Sequence, residues 1–335
     1  MPLKGRLFAQ LEAVQYWMRR DPTMQYTWQM AAGQATAPDG RVIDLNKEFP
    51  KLNTWRTPGP WSEPIDEDWI THPMVGVAAV GGRGLAQPPA MTTLYPVEFV
   101  CNQAGTTRNR SGGPGAPGWK AGLKYVLWLS HQARTSNDAH HVHSGDEAVY
   151  ARMPGVIVVV PGTAYDAKGL MMTALAGEDP VVYVDYGTLA ALPPEDIPDE
   201  PFSVPFGKAA LRQEGKDLTL AYWGEATTNV VAALPELAKA GISVEAIDIR
   251  SLKPFDDETL IKSVTKTKRL LVVSNGYYTA DFSAHVVAEA AANVPGAKFY
   301  RMCYPDCPSC PERSVIAYLT PNAPKIVERA KKLVG

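Results

Sequence analysis

From residue 124 onward the chain alternates short, unbroken apolar runs with segments of helical period, and that alternation leaves few folds open. "KYVLWLS" (124–130), "VIVVVP" (156–161) and "PVVYVDY" (180–186) are rich in β-branched and aromatic residues and bounded by turn residues. Runs of this kind are buried strands, apolar on both faces. Between the last two lies "DAKGLMMTALAG", which has the length and composition of a crossover helix. Strand, helix, strand at this spacing implies a parallel sheet, because adjacent parallel strands need a long connection to return the chain.

The alternation resumes after residue 216. "DLTLAYWG" reads as a strand, "ATTNVVAALPELAKAG" as a helix ending at Gly241, and "SVEAIDIR" as a strand. "DDETLIKSVTKT" reads as a helix capped by Asp256 or Asp257, and "RLLVVSNG" as a strand. "TADFSAHVVAEAAANV", a strand through "KFYRM" and a final helix "NAPKIVERAKKLV" complete the series. The proline-rich, acidic stretch "ALPPEDIPDEPFSVP" is the best linker candidate. The expected organisation is therefore a first domain over 1–190, a linker over 191–206 and a second domain over 207–335.

Ahead of residue 124 the pattern is less regular. Leu7, Leu11, Val14 and Met18 recur on one face of a helix that Asp21-Pro22 stops. Residues 23–65 hold much proline, glycine and tryptophan and read as mainly irregular. "HPMVGVAAVGGRGL" (72–85) suits a buried helix in close contact with a neighbour, and "NRSGGPGAPGW" (109–119) reads as a loop.

Composition excludes several classes. Of 335 residues, 45% are hydrophobic and 20% charged, with a net charge of −2 and no basic tract. Nucleic acid and anionic membrane surfaces are poor partners for such a chain. No apolar run approaches the ~20 residues of a membrane span. The opening "MPLKGRLFAQLEAVQYWMRRDP" is broken by charges before a signal-peptide core can form. Four cysteines in a chain this long do not make a disulfide scaffold, so a cytoplasmic location is expected.

Two clusters invite a metal reading. "DAHHVHSGDE" carries His140, His141 and His143; in an extended segment His141 and His143 share a face and His140 points away. No acidic or cysteine partner is fixed beside them, so no metal is expected. Cys303, Cys307 and Cys310 have C-x3-C-x2-C spacing, which suits a cluster or zinc. Their place after a strand near the C-terminus favours reduced loop thiols instead.

"VEAIDIRSLKPFDDETLIKSVTKTKRLLVV" resembles the C-terminal domain of the transketolase-like beta subunits of 2-oxo acid dehydrogenases, the pyruvate, branched-chain and acetoin enzymes. The opening helix and "MPGVIVVVPGTAYDAKGLMMTAL…DPVVYVDY" resemble the first domain of the same family, in the same order. The resemblance implies an α/β protein of two parallel-sheet domains with helices on both faces. One would bind the pyrimidine of thiamine diphosphate, and the other would be the transketolase C-terminal-like domain.

It also implies half of an active site. In that family the coenzyme lies between two chains, with its diphosphate and a Mg2+ ion held by a GDG-type motif on an alpha subunit. This chain has no GDG. The implied partners are such an alpha subunit, in an alpha2beta2 heterotetramer, and a lipoyl-carrying acyltransferase as acceptor. "EPIDEDW" stands where the family has its TPI-x-E motif, which places Glu67 on the family glutamate, with Glu63 as the alternative register. A carboxyl hydrogen-bonded to the aminopyrimidine favours its imino tautomer, the form able to take a proton from the thiazolium carbon. Leu94, Tyr95 and Phe99 in "AMTTLYPVEF" fall where the family packs aromatics on that ring. "VHS" places His143 on the family histidine if one residue is deleted, whereas comparison with transketolases favours His141; a neutral imidazole there can handle protons on the substrate.

The family reaction is decarboxylation of a 2-oxo acid with acyl transfer. Altered aromatics, the tryptophan-rich segment before residue 63 and "SNGYYTAD" (274–281) depart from the pattern. They leave open a carbon–carbon lyase or ligase acting on a larger ketone or diketone, or a structural subunit without a reaction of its own.

Overall fold

The computed structural model describes residues 5–28, 34–36, 42–44, 68–88, 96–107, 122–131, 145–308 and 312–335. The chain divides into two units. The first comprises Met1–His131, Tyr150–Asp185 and Pro193–Phe206, and the second Gln132–Val149, Tyr186–Leu192 and Gly207–Gly335.

Helix α1 (Arg6–Arg20) opens the first unit and buries Leu11, Val14 and Met18, the apolar face its periodicity predicts. Strands β1 (Met24–Trp28), β4 (Arg83–Gln87), β5 (Tyr125–His131), β6 (Ile157–Val159) and β7 (Val181–Tyr186) lie in the order β1-β4-β5-β7-β6. Strands β1 and β4, β4 and β5, and β6 and β7 pair in parallel. A separate antiparallel pair joins β2 (Gln34–Thr36) to β3 (Val42–Asp44). Helix α2 (Asp68–Ala79) precedes β4, and a π-helical turn spans Glu98–Ala104. Helix α3 (Glu147–Arg152) is divided, its residues 147–149 counting with the second unit, and α4 (Ala164–Ala176) precedes β7.

One strand is not foreseen and one expectation needs correcting. Within 23–65 the described residues include "MQYTW", which forms β1 and buries Met24 and Tyr26 in the core; most of the remaining stretch lies outside the described residues. A five-residue strand beside prolines and tryptophans is hidden by its surroundings, and only its pairing with β4 identifies it. The apolar stretch 72–85 is not one helix. Alpha2 ends at Ala79, Gly81 takes a φ of 91°, and Arg83 starts β4. The turn is stabilised where Arg83 reaches Asp21 at 3.1 Å and the Gly177 carbonyl at 3.0 Å.

The core of this unit joins α1 and α4 to the sheet through Leu11, Val14, Tyr26, Trp128, Leu170 and Tyr183. Arg6 is buried and paired with Asp185, and it also donates to the carbonyls of Thr163 and Pro161. Thr163 caps α4 by accepting the Asp166 N–H at 3.1 Å. The proline-rich stretch 193–206 lies along α4. Val204 N donates to the Gly169 carbonyl at 3.1 Å, Phe202 stacks on Tyr165, and Ile197 is buried against Ala9 and Ala164.

The second unit holds strands β8 (Ala210–Gln213), β9 (Leu218–Tyr222), β10 (Val244–Asp248), β11 (Ser251–Lys253), β12 (Arg269–Tyr277) and β13 (Lys298–Tyr304). Five of them make a sheet in the order β13-β12-β9-β10-β8. It is parallel except at one edge, where β8 runs antiparallel to β10. Helices α5 (Ala226–Lys239), α6 (Asp257–Thr267), α7 (Phe282–Asn293), α8 (Arg313–Leu319) and α9 (Ala323–Val334) accompany it. Of the two predicted caps for α6, Asp256 is the one used; it accepts from Thr259 N at 3.2 Å. Gly241, with a φ of 75°, turns the chain out of α5 in the left-handed conformation glycine favours. Val230, Leu237, Leu220, Val273, Ile326 and Leu333 form the core. The architecture is α/β throughout.

Candidate functional site

In open α/β sheets ligands bind off the carboxyl ends of the strands. In the first unit β1, β4 and β5 are neighbours whose carboxyl ends are Trp28, Gln87 and His131. At this edge lies a chain of neutral hydrogen bonds. The buried Tyr26 hydroxyl donates to Gln87 Oε1, and Gln87 Nε2 donates to Ser130 Oγ at 3.0 Å. Burial keeps the Tyr26 phenol protonated, holding its pKa well above the ordinary tyrosine value. Phenol and hydroxyl thus fix which way the Gln87 amide faces.

Helix α2 is set against β4 by a close backbone approach. A Cβ on Gly84 would fall 2.2 Å from the Met74 carbonyl oxygen, so only glycine allows this seating. Thr71 and Met74 of α2 are fully buried.

Most residues that the sequence nominates adjoin these elements but lie outside the described residues. Glu67 immediately precedes α2, and Glu63 lies further upstream. Leu94 and Tyr95 follow β4, whereas His140, His141 and His143 follow β5. All seven are outside the described set, as is Cys310. Phe99 is inside it. It sits half-buried on the π-helical turn, its ring against His72 of α2.

The second unit contains a residue that sequence reasoning missed. Glu147 begins α3 and is only 2% exposed. Its Oε2 accepts from the Tyr186 hydroxyl at 2.6 Å and its Oε1 from the Trp223 indole N–H at 2.8 Å. Burial pushes its pKa up to about 7; the two hydrogen bonds oppose that shift and nearby Asp281 adds to it. Such a carboxyl can gain or release a proton near neutrality. The approach to α3 is tight. Gly145 has a φ of 87°, and a Cβ there would fall 2.3 Å from Gly276 Cα. Asp281 beyond accepts from Ser274 Oγ at 3.0 Å and Ser283 N at 2.8 Å. In sequence Glu147 reads as one of two adjacent acids in "SGDE", and its aromatic partners lie 39 and 76 residues away.

Cys303 and Cys307 are free thiols. Burial and Asp281 push the Cys303 thiol up to about 12, which keeps it unreactive at neutral pH. Among the described residues no group of three or more His, Cys, Asp or Glu is arranged to hold a metal ion, and no helix is long and apolar enough to cross a membrane.

The transketolase C-terminal domain family matches residues 207–326. The pyruvate dehydrogenase E1 component subunit beta of Bacillus subtilis is 31% identical over 300 residues, 87% of this chain and 86% of that protein. The protein of the same description from Staphylococcus epidermidis is 34% identical over 252 residues, 74% of this chain and 72% of its own length. Among solved structures, a split gene transketolase described as an inactive beta4 tetramer superposes with a TM-score of 0.71, covering 98% of both chains. At 19% identity, it shows the fold alone.

Proposed function

The chain belongs to the family of pyruvate dehydrogenase E1 component beta subunits, and from that membership we propose that it is the beta-type half of a two-component thiamine-diphosphate enzyme. The proposed reaction is cleavage beside a carbonyl, in the first instance decarboxylation of a 2-oxo acid with acyl transfer to a lipoyl or other acceptor. The observation that carries the reading is the similarity to such subunits along 87% of the chain.

The strand-end chemistry supports a ring-binding rather than a phosphate-binding role. Tyr26, Gln87 and Ser130 form a neutral set of hydrogen bonds at the carboxyl edge of the first sheet. Uncharged, fixed donors and acceptors suit the polar edge of a heteroaromatic ring, whereas a diphosphate calls for cations or a metal. Thiamine diphosphate, when bound, would supply a nucleophilic carbon and an electron sink for the bond being broken.

The chain's own residues divide the remaining work. Glu67 would hold a proton against the ring nitrogen of the aminopyrimidine. Removal from water would raise its pKa and let it share that proton. Leu94, Tyr95 and Phe99 would pack on the ring and exclude water. His143, or His141 in the alternative register, would move a proton at the substrate carbonyl. The diphosphate and Mg2+ would belong to a GDG-bearing alpha subunit, in an alpha2beta2 assembly within the cytoplasm. In this reading residues 1–190 are the pyrimidine-binding domain, joined through 191–206 to the C-terminal-like domain at 207–335.

The test is reconstitution. The chain alone and the chain with a GDG-bearing alpha partner are assayed for coenzyme binding and for 2-oxo acid decarboxylation with an artificial electron acceptor. Coenzyme binding and turnover only in the assembled complex, with turnover lost in Glu67→Ala, are expected. A complex that binds no coenzyme, or full turnover in Glu67→Ala, overturns the reading. Product analysis with larger ketones and diketones identifies the substrate class.

A further inference from the structure

A cavity of about 480 Å3 opens on the second unit beside β13 and α9. Its walls carry three cations, Arg301 on β13 and Lys325 and Arg329 on α9, and two carboxylates, Asp306 and Glu328. The carboxylates are engaged elsewhere. Asp306 accepts the Thr279 backbone N–H at 2.8 Å and the Thr279 hydroxyl at 2.6 Å. Glu328 is ion-paired with Lys332, one turn along α9.

The cations are not neutralised in the same way. Arg301 and Arg329 feel the charges of Asp306 and Glu328, yet among the described residues none of the three cations closes an ion pair. All three instead lie over tyrosine rings, Lys325 over Tyr318 at 5.2 Å and the two guanidiniums closer. The Arg301 guanidinium lies 4.1 Å from the centre of the Tyr278 ring, and that of Arg329 lies 3.8 Å from the centre of Tyr300. A guanidinium laid over a ring is restrained in place, and its remaining N–H donors suit carboxylate and phosphate. Arg301 directs one nitrogen to the Tyr278 carbonyl and the Ser283 hydroxyl, which locks its place on the strand. Lys325 is held by the carbonyls of Tyr318 and Thr320, and its ammonium adds charge at the rim. The volume is that of a small-molecule site.

We propose that this cavity is a second ligand site, taking a small organic anion whose phosphate or paired carboxylates dock on Arg301 and Arg329. The site belongs to the second unit alone and does not depend on the coenzyme reading of the first. Cys303 on its wall carries no chemistry, because its thiol stays protonated.

Isothermal titration of the full-length chain with inorganic pyrophosphate, AMP and citrate tests the site. At least one probe is expected to bind with a dissociation constant below about 5 mM at about 0.15 M salt, the weak end of specific recognition. Arg301→Gln and Arg329→Gln should each weaken it at least tenfold. Arg329→Lys, which keeps the charge and removes the fork, guards against a folding defect. It should weaken binding while its melting temperature stays at the wild-type value. AMP and pyrophosphate against citrate decide between phosphate and carboxylate. No probe binding below that concentration, or equal binding to the wild-type chain and both glutamine variants, would overturn the proposal.

Discussion

The indole N–H of Trp223 donates to a carboxyl oxygen of Glu147 at 2.8 Å, which ties the residue after β9 to the first turn of α3. Tyr186 completes the arrangement from the end of β7. Burial favours the protonated form of this carboxyl against the pull of its two donors, and this has a measurable consequence.

The Glu147 pKa rises on folding, from the ordinary 4.5 to about 7. The folded chain therefore binds more protons than the unfolded chain between those values, and the stability margin from this group falls as pH rises through that window. The total is on the order of 3 kcal/mol, at 1.36 kcal/mol per pKa unit. Glu147→Gln removes the titration. The variant should melt below the wild-type chain at pH 5 and equal or exceed it at pH 8. Parallel melting curves across that range would show that Glu147 does not titrate there.

Arg6 is a buried cation whose partner, Asp185, is itself largely buried. Removing one member of such a pair leaves the other charged and uncompensated, at a cost of about 3–5 kcal/mol. Arg6→Met should lower the melting temperature accordingly. The double variant Arg6→Met with Asp185→Leu should recover most of the loss, and denaturant titration of the three chains measures the coupling.

Gly84 allows α2 to sit against β4. In Gly84→Ala the new methyl would meet the Met74 carbonyl oxygen at 2.2 Å, so the helix must move or the backbone must shift. Overpacking of this kind costs about 1–3 kcal/mol. Glu67 adjoins the start of that helix, so the variant should also weaken coenzyme binding in the assembled complex. Titration with thiamine diphosphate reads this directly.

In the reconstituted enzyme, loss of a general acid or base lowers turnover by about 10²–10⁴-fold. Glu67→Gln is expected to fall in that range. Between His143→Ala and His141→Ala, only the residue acting on the substrate should show a comparable loss, and side-by-side rates identify it. Gln87→Leu should act more weakly, raising the coenzyme concentration needed for half-maximal rate more than it lowers the rate itself.

Much of the fold was legible locally. "VIVVVP" and "PVVYVDY" are strands because apolar, β-branched runs bounded by turn residues have few other places to go. The helices after them follow from period and length, and for α6 from the cap that Asp256 supplies. Beta1 was not legible, because "MQYTW" gains its identity only from a partner 59 residues away in register. Of the nominated site, Phe99 is found on its turn beside α2, and the other nominated residues lie outside the described set.

The sequence by itself determined the α/β class, the alternation of strands and helices, and the family, since these rest on local pattern and on collinear identity. The tertiary structure alone decided strand order, the Tyr26–Gln87–Ser130 chain and the burial of Glu147. Burial and hydrogen bonding depend on which distant segments meet. A glutamate beside an aspartate carries no local mark that a tyrosine and a tryptophan will enclose it.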